Sequence, residues 1–485
     1  MSVFFWFRRD LRLHDNPGLA AAQRLAQQQG VPLHCCYLAT PQQWAQHDMA
    51  PRQADLLERR LNALGQELAE QGIPLTLLSC DDFTAAPAAL VEWLCSSLPI
   101  ASSAATLFAN RELPLDELRR DEAVEQALMA RGISCRWFDE RCLFAPGTIN
   151  TTSGDMYRVF TPFCRAWLRQ LASEGFSLAS KVQPQGPELN WQPIQLTYAK
   201  RSSQGWPVAE REVRERLWLF AQHKVMDYAE LRDLPAQEGT SQLSPYLALG
   251  VLSVRQCLAA LQAALGMLPL ERGQPGFSWL NELVWREFYL HLLVRFPALA
   301  MGKPFKSEMA SLAWRPDATL FQAWCEGRTG YPIIDAAMRC LAQTGWMHNR
   351  LRMLVASFLT KDLQQPWWWG ERYFMQQLLD GELAANNGGW QWSAGTGADA
   401  SPWFRIFNPT TQGEKFDPQG QFIRRYLPEL TDLPDKAIHT PHDWLARHGR
   451  AGSYPPPIVD HAQARRLTLA MFRALGSTDE PDALS

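Results

Sequence analysis

Along the first third of the chain, short apolar runs alternate with stretches of helical spacing. Val3–Phe7, Leu33–Leu38, Leu75–Cys80, Thr106–Asn110 and Cys135–Phe138 read as strands. Between them, Arg52–Glu70 and Leu115–Arg131 repeat apolar positions at the three-and-four spacing of amphipathic helices. This alternation predicts an α/β domain, a parallel doubly wound sheet, over residues 1–140. From about Leu171 to Trp206, Pro, Gln, Ser and Gly accumulate and periodicity fades, so this stretch reads as wrapped on the surface, within an interdomain connector over 141–206. Over 207–473 the pattern is almost wholly helical, an all-α domain. The small, acidic residues 474–485 read as a disordered tail. No internal repeat interrupts this plan.

Composition narrows the function classes. The 485 residues suffice for several domains, and a net charge of −3 excludes a globally basic nucleic-acid binder. Any DNA affinity must come from a local patch. Ten cysteines include no C-x-x-C pair, and Cys35-Cys36 lies in an apolar run. They read as reduced, buried thiols, neither a zinc site nor a disulfide frame. Val3–Phe7 is too short for a signal sequence, Arg8-Arg9 lacks the apolar stretch of a twin-arginine signal, and no run reaches membrane-spanning length. These features predict a soluble, cytoplasmic protein.

Candidate chemistry concentrates in a few places. Residues 380 to 392 set Asp380-Gly381-Glu382, Asn386-Asn387 and Gly388-Gly389 directly against Trp390 and Trp392. Asn and Gly are poor helix formers, so the run reads either as a tight turn or as backbone brought close to a flat aromatic ligand. On a helix spanning Trp279–Phe288, Glu282, Trp285 and Arg286 share one face and could hold a base beside its phosphate, or form a plain ion pair by a packed Trp. On a second helix, Met347, Leu351, Leu354, Val355 and Phe358 face the core, while Asn349 and Met353 line up at i, i+4. A carboxamide beside a Met suits a snug pocket that reads a carbonyl and N–H edge. Gly239-Thr-Ser-Gln-Leu-Ser-Pro marks a helix start that could be simple capping or a pyrophosphate cradle. Gly395-x-Gly397-x-x-Ala400 follows no strand and is set aside as a nucleotide motif.

Together these motifs resemble the photolyase/cryptochrome family of flavoproteins, and within it the class I cyclobutane pyrimidine dimer photolyases. The resemblance rests on Trp6-Phe-Arg-Arg-Asp-Leu-Arg-Leu-His-Asp-Asn, Glu238-Gly-Thr-Ser-Gln-Leu-Ser, Trp279-Leu-Asn-Glu-Leu-Val-Trp-Arg-Glu-Phe and Gly330-Tyr-Pro-Ile-Ile-Asp-Ala-Ala-Met-Arg. Gly345-Trp-Met-His-Asn-Arg, Ala384-Ala-Asn-Asn-Gly-Gly-Trp-Gln-Trp and Phe404-Arg-Ile-Phe-Asn-Pro extend it over essentially the whole chain.

The resemblance implies light-driven electron transfer from reduced FAD to a pyrimidine dimer flipped out of UV-damaged DNA, single- or double-stranded. It implies that Tyr228 and the run Thr240, Ser241, Gln242, Leu243 and Ser244 hold the FAD phosphates and ribose. Trp279, Trp346 and Arg352 would flank its rings together with Asp380, Gly381 and Glu382, and Asn386 would face N5. Trp285 and Trp392 would wall the dimer pocket, and Met353 would floor it. Asn349 would hydrogen-bond one base, and Glu282, kept protonated by burial, the other. Arg232, Arg286, Arg350, Arg405 and Gln412 would meet the DNA backbone, and Trp390, Trp367 and Trp314 would relay electrons during photoreduction. His47, Asp116 and Glu117 match the cleft of a 5,10-methenyltetrahydrofolate antenna.

The chain departs from the family pattern at Gln242, where Arg or Lys is frequent, and at Glu382, where Asp is usual. Asp116 replaces an Asn, and Ala300 and Met301 occupy positions that a folate-binding relative fills with Cys and Lys. The expectation is a monomeric, bacterial-type repair enzyme. A cryptochrome-like blue-light receptor without repair activity and a flavin electron-transfer protein without DNA are the alternatives.

Overall fold

A computed structural model describes residues 2–97, 105–400 and 402–476. All five expected strands form: β1 Ser2–Phe7, β2 Leu33–Ala39, β3 Leu75–Ser79, β4 Ala105–Asn110 and β5 Ser134–Phe138. They make one parallel sheet in the order β3-β2-β1-β4-β5. The crossovers carry α1 (Pro17–Gln29), α2 (Pro41–Gln46), α3 (Pro51–Ala69), α4 (Ala86–Ser96) and α5 (Leu115–Met129). Because helices cover both faces, the central β1 and β4 are buried at every residue and read as continuous apolar runs, whereas the edge strands β3 and β5 stay partly open.

Contacts divide the chain into two compact units, residues 1–226, 241–297 and 379–384, and residues 227–240, 298–378 and 385–485. The helical stretch that begins at 207 in the sequence is therefore shared between them. The first unit adds α6 (Phe160–Glu174), α7 (Glu210–His223), α8 (Ser244–Leu249) and α9 (Phe277–Arg295) to the sheet. The second is built around α10 (Pro332–Thr344), α11 (Asn349–Ser357) and α12 (Trp367–Gln377). To these it adds α13 (Leu383–Ala394), which begins on the last two residues of the first unit, and α14 (His461–Gly476). The apolar face expected from 345–358 is buried in the core of this second unit.

One helix corrects the sequence reading. Phe160–Glu174 lies inside the expected connector, with Phe160, Phe163, Trp167 and Leu171 buried along one stripe. Past it, residues 176–208 carry no helix or strand and run along α3. There Asn62 exchanges two hydrogen bonds with the Ile194 backbone, and the Trp191 ring sits so close over Gly65 that a Cβ would be 2.3 Å from it. The last residues described, 474–476, are helical, and the rest of the expected tail lies outside the described residues.

The charged segment after β1 is buried. The Arg8 Nη1 donates to both Asp121 oxygens at 2.8 Å, and Asn110 donates to Asp10 at 2.6 Å. Arg12 donates to Glu140, to the Asp15 carbonyl at 2.7 Å and to the Gly250 carbonyl at 2.9 Å. Asp15 in turn holds Arg255 at 3.0 Å and accepts from Ser253. The backbone closes tightly here: Gly250 has φ 70°, and a Cβ on it would lie 1.9 Å from the Arg9 carbonyl oxygen. Only glycine tolerates both conditions.

Candidate active site

In the first unit, α9 projects the predicted triplet. Glu282, Trp285 and Arg286 occupy consecutive turns and keep part of their surface open, while Leu283, Val284 and Phe288 beside them are buried. The Trp285 indole lies flat against Phe160 of α6, with centroids 3.6 Å apart and planes within 7°. Phe288 meets it edge-on at 5.8 Å, and Tyr289 lies at 5.5 Å.

Arg286, expected beside a phosphate, is engaged within the first unit. Its Nε and Nη2 donate to Glu382 at 3.1 and 2.9 Å, and its Nη1 to the Arg141 carbonyl at 3.0 Å. Arg141 pairs with the same carboxylate. The guanidinium is thus a clamp inside the unit, because the planar fork is already matched by a carboxylate and a carbonyl. Burial alone would raise Glu382, yet Arg286 and Arg141 hold it below the ordinary carboxylate range. Gly381 is tied in as well, its carbonyl accepting from Gln53 at 2.9 Å.

On α9, burial pushes the Glu287 carboxyl up from 4.5 to about 7, against the opposing hydrogen bonds of the Leu143 N–H and the Trp167 indole. The motif 241–244 opens α8 without a side-chain cap. Gln242 takes φ 50° and is followed by Leu243 at φ −95°, ψ −4°. A left-handed residue before a right-handed one turns successive N–H groups the same way, an anion-binding concavity. Arg216 donates to the Gln242 side chain, restoring a cation next to the position where the family often carries one. Trp279 is buried against Phe220 at 5.1 Å.

The second unit holds Tyr228, Arg232 and Thr240, with the Arg232 guanidinium 5.4 Å over the Tyr228 ring. It also holds α11, whose N-cap is His348: the Nδ1 accepts from the Arg350 N–H at 3.2 Å. Burial lowers this imidazole to about 4, so it is neutral with its proton on Nε2. Nε2 is buried and has no hydrogen-bond partner among the described residues. Asn349 is exposed, and Met353 and Trp346 are partly so. Arg350 pairs with Asp233 at 2.7 Å and lies 4.5 Å over Phe416, and the Arg352 Nε donates to the Met347 carbonyl at 2.8 Å. Arg405 is exposed, and Gln412 lies on the helix Pro409–Phe416.

Asn386, Asn387, Gly388 and Gly389 do not form a turn. They lie within α13, the reverse of their intrinsic preference. Side-chain bonds explain it. Asn386 donates to the Glu371 carbonyl and Asn387 to the Glu371 carboxylate, both at 2.8 Å, and Gln391 donates to Asn387 at 3.0 Å. Carboxamides that would compete with the helix are instead answered by α12. Trp390 is buried in mid-helix, and a Cβ on Gly370 would sit 2.1 Å from its ring. Gly370 is one turn from Trp367 on α12, so the missing side chain lets Trp390 approach that helix. Trp314 meets Trp368 at 6.4 Å, and Trp368 meets Trp367 at 5.9 Å.

The antenna candidates converge within the first unit: His47 Nε2 lies 3.3 Å from Asp116, and Nδ1 lies 3.8 Å from Glu117. The residues missed from sequence are Phe160, Glu287 and Gly370. The i, i+3, i+7, i+11 stripe of Phe160, Phe163, Trp167 and Leu171 was the available signal for the first. Nothing in the local sequence marks the other two.

The family pattern described as "DNA photolyase" matches residues 3–185, and that described as "FAD binding domain of DNA photolyase" matches 279–474. The chain is 49% identical over 474 residues to the deoxyribodipyrimidine photo-lyase of Vibrio cholerae, covering 96% of this chain and 98% of that one. Against the Escherichia coli deoxyribodipyrimidine photo-lyase the identity is again 49%, over 97% and 98%. Among solved structures, a class III photolyase from Agrobacterium tumefaciens superposes with TM-score 0.81 at 36% identity, covering 98% of each chain. An archaeal photolyase from Sulfolobus tokodaii, solved with two FAD molecules, gives 0.80 at 29%, over 98% of this chain and 100% of that one.

Proposed function

The chain belongs to the DNA photolyase family, and on that premise we infer that it is a deoxyribodipyrimidine photo-lyase, repairing cyclobutane pyrimidine dimers in DNA with light. One observation carries the reading to this chain. Glu282, Trp285, Asn349, Met353 and Trp392 all keep surface open, although each has buried residues beside it on its helix, such as Leu283, Val284, Leu351, Leu354 and Gln391. Side chains of these types, left out of the core, suit a ligand with two flat polar edges.

The residues present fit FAD. The left-then-right-handed turn at Gln242–Leu243 and the hydroxyls of Thr240, Ser241 and Ser244 suit phosphates, and the unanswered His348 Nε2–H is a buried donor awaiting an acceptor. Tyr228, Trp279, Trp346, Arg352, Asp380, Gly381 and Glu382 would complete the cofactor's surroundings, and the Asn386 carboxamide, its NH2 held by Glu371, would turn its oxygen to the flavin. Bound reduced FAD supplies, after absorbing light, the electron that opens the cyclobutane ring and then takes it back.

The remaining work belongs to the chain. Extruding a dimer from the duplex costs a few kcal/mol, least where the lesion already weakens stacking, as for photolyases and other enzymes acting on flipped bases. Trp285 and Trp392 would recover part of that by stacking. Glu282 and Asn349 would hydrogen-bond the two base edges, and Met353 would fill the floor. Arg232, Arg350, Arg405 and Gln412 would hold the DNA backbone, whereas Arg286 would steady the pocket from behind through Glu382. Trp390, Trp367 and Trp314 would carry electrons to the cofactor when it is oxidised. His47, Asp116 and Glu117 would hold a methenyltetrahydrofolate antenna. No helix among the described residues is long and apolar enough to cross a membrane. On its likeness to bacterial photo-lyases we propose that the enzyme works in the cytoplasm, as a monomer.

The test is an oligonucleotide with one thymine dimer, incubated with the purified protein under blue light and in darkness. Restoration of the two thymines in light alone is the expected result. Flavin photoreduction without repair would overturn the assignment in favour of a light receptor.

A further inference from the structure

Trp285 is the aromatic wall of the proposed dimer pocket, and a stacking wall works only if its plane is fixed. A Trp side chain turns about two bonds, and a freely turning indole would lose that freedom on every binding event. Here the plane is set from behind. The Phe160 ring lies face to face with the indole at 3.6 Å and 7°. Phe160 is itself 6% exposed and held by the Phe288 edge at 5.8 Å. It is the end rung of a ladder between α6 and α9. The next rungs are Phe163 against Phe288 and His291, each at 5.2 Å, and the Trp167 indole donating to Glu287 at 2.6 Å. Residues 160, 163 and 167 recur at i, i+3 and i+7, so one face of α6 grips α9 along its length. The whole ladder lies in one compact unit.

We propose that Phe160 is a positioning residue for damaged DNA: it locks the Trp285 plane and covers one indole face, so that a flipped pyrimidine can stack only on the opposite face. The inference rests on the pocket reading given above and deepens it. Phe160 touches neither substrate nor cofactor in this scheme. Its effect passes entirely through Trp285, and that is what makes it testable.

The measurement is equilibrium binding, by fluorescence anisotropy in the dark, of a labelled oligonucleotide with or without a single thymine dimer. The proteins are wild type, Phe160→Leu, Phe160→Tyr, Trp285→Ala and the double variant Phe160→Leu/Trp285→Ala. Loss of one aromatic stack predicts dimer binding weakened about 3- to 10-fold in Phe160→Leu, with undamaged DNA bound as before. Phe160→Tyr keeps the ring and should restore binding to within about twofold of wild type. In the Trp285→Ala background, Phe160→Leu should change nothing further. The flavin absorbance spectrum and thermal midpoint of each variant report the fold. If Trp285→Ala weakens dimer binding but Phe160→Leu does not, or if Phe160→Leu weakens it equally with and without Trp285, the positioning role is wrong and the pocket stands. If Trp285→Ala itself leaves dimer binding intact, the pocket reading falls and this inference with it.

Discussion

Raising the pH from 4.5 to 8.5 should cost the native protein about 3 kcal/mol at one side chain, Glu287. Below 4.5 its carboxyl is protonated in both folded and unfolded chains. Between 4.5 and about 7 the unfolded chain ionises while the folded one retains its proton, because burial penalises the charge. Stability therefore falls as pH rises through this window, and above about 7 the deficit is constant. Each tenfold difference in proton affinity is about 1.4 kcal/mol, so the interval corresponds to about 3 kcal/mol. Glu287→Gln keeps the size and has no proton to lose. Its NH2 group must face one of two donors, the Leu143 N–H or the Trp167 indole, at a cost of about 1–3 kcal/mol at every pH. The variant should thus be weaker at pH 4.5 and level with or stronger than wild type at pH 8.5. Urea midpoints across the range at constant ionic strength give the difference curve. Subtraction removes the other buried carboxyls that titrate nearby, Asp10 and Asp362, each raised to about 6. Parallel curves for the two proteins would refute the reasoning.

Other perturbations follow from single contacts. Gly370→Ala drives a methyl to 2.1 Å from the Trp390 ring and should destabilise by about 1–3 kcal/mol, with an altered tryptophan emission spectrum and slower flavin photoreduction by thiol. Glu382→Ala strands two guanidiniums whose side chains are 7% and 12% exposed, and the thermal midpoint should drop in keeping with about 3–5 kcal/mol. Arg405→Ala should weaken damaged and undamaged DNA alike and lower the slope of log affinity against log salt by about 1, measured by anisotropy at several salt concentrations. Of the ten thiols, Cys95 is the exposed one, so a bulky maleimide should label the native protein chiefly there and all ten after denaturation.

What the sequence reveals of this fold depends on the range of the deciding interactions. The five strands were legible because alternation of apolar runs and amphipathic stretches is a local signal. The apolar face of α11 was legible for the same reason. The helix over Phe160–Glu174 was obscured by the Pro- and Gln-rich segment that follows it, although its stripe was present. The helix over the Asn-Asn-Gly-Gly run was not legible because intrinsic propensity is overridden by Glu371, a residue on another helix. The internal partners of Arg286 were hidden for a deeper reason. Its partner Glu382 lies 96 residues away, and nothing near either position announces the pairing. The division into units was hidden likewise, since residues 379–384 return to the first unit after a long excursion.

The buried knot of charges behind β1 has a consequence for biosynthesis. Arg12 and Asp15 emerge from the ribosome early, yet Gly250 and Ser253, which complete their hydrogen bonding, follow 238 residues later. At roughly 5–20 residues per second, that is a wait of roughly 12–50 s. Arg12 can meet Glu140 sooner, but Asp15 stays without its cation until Arg255 is made. Closure of the charged segment behind β1 therefore waits for a late segment of the message to be translated.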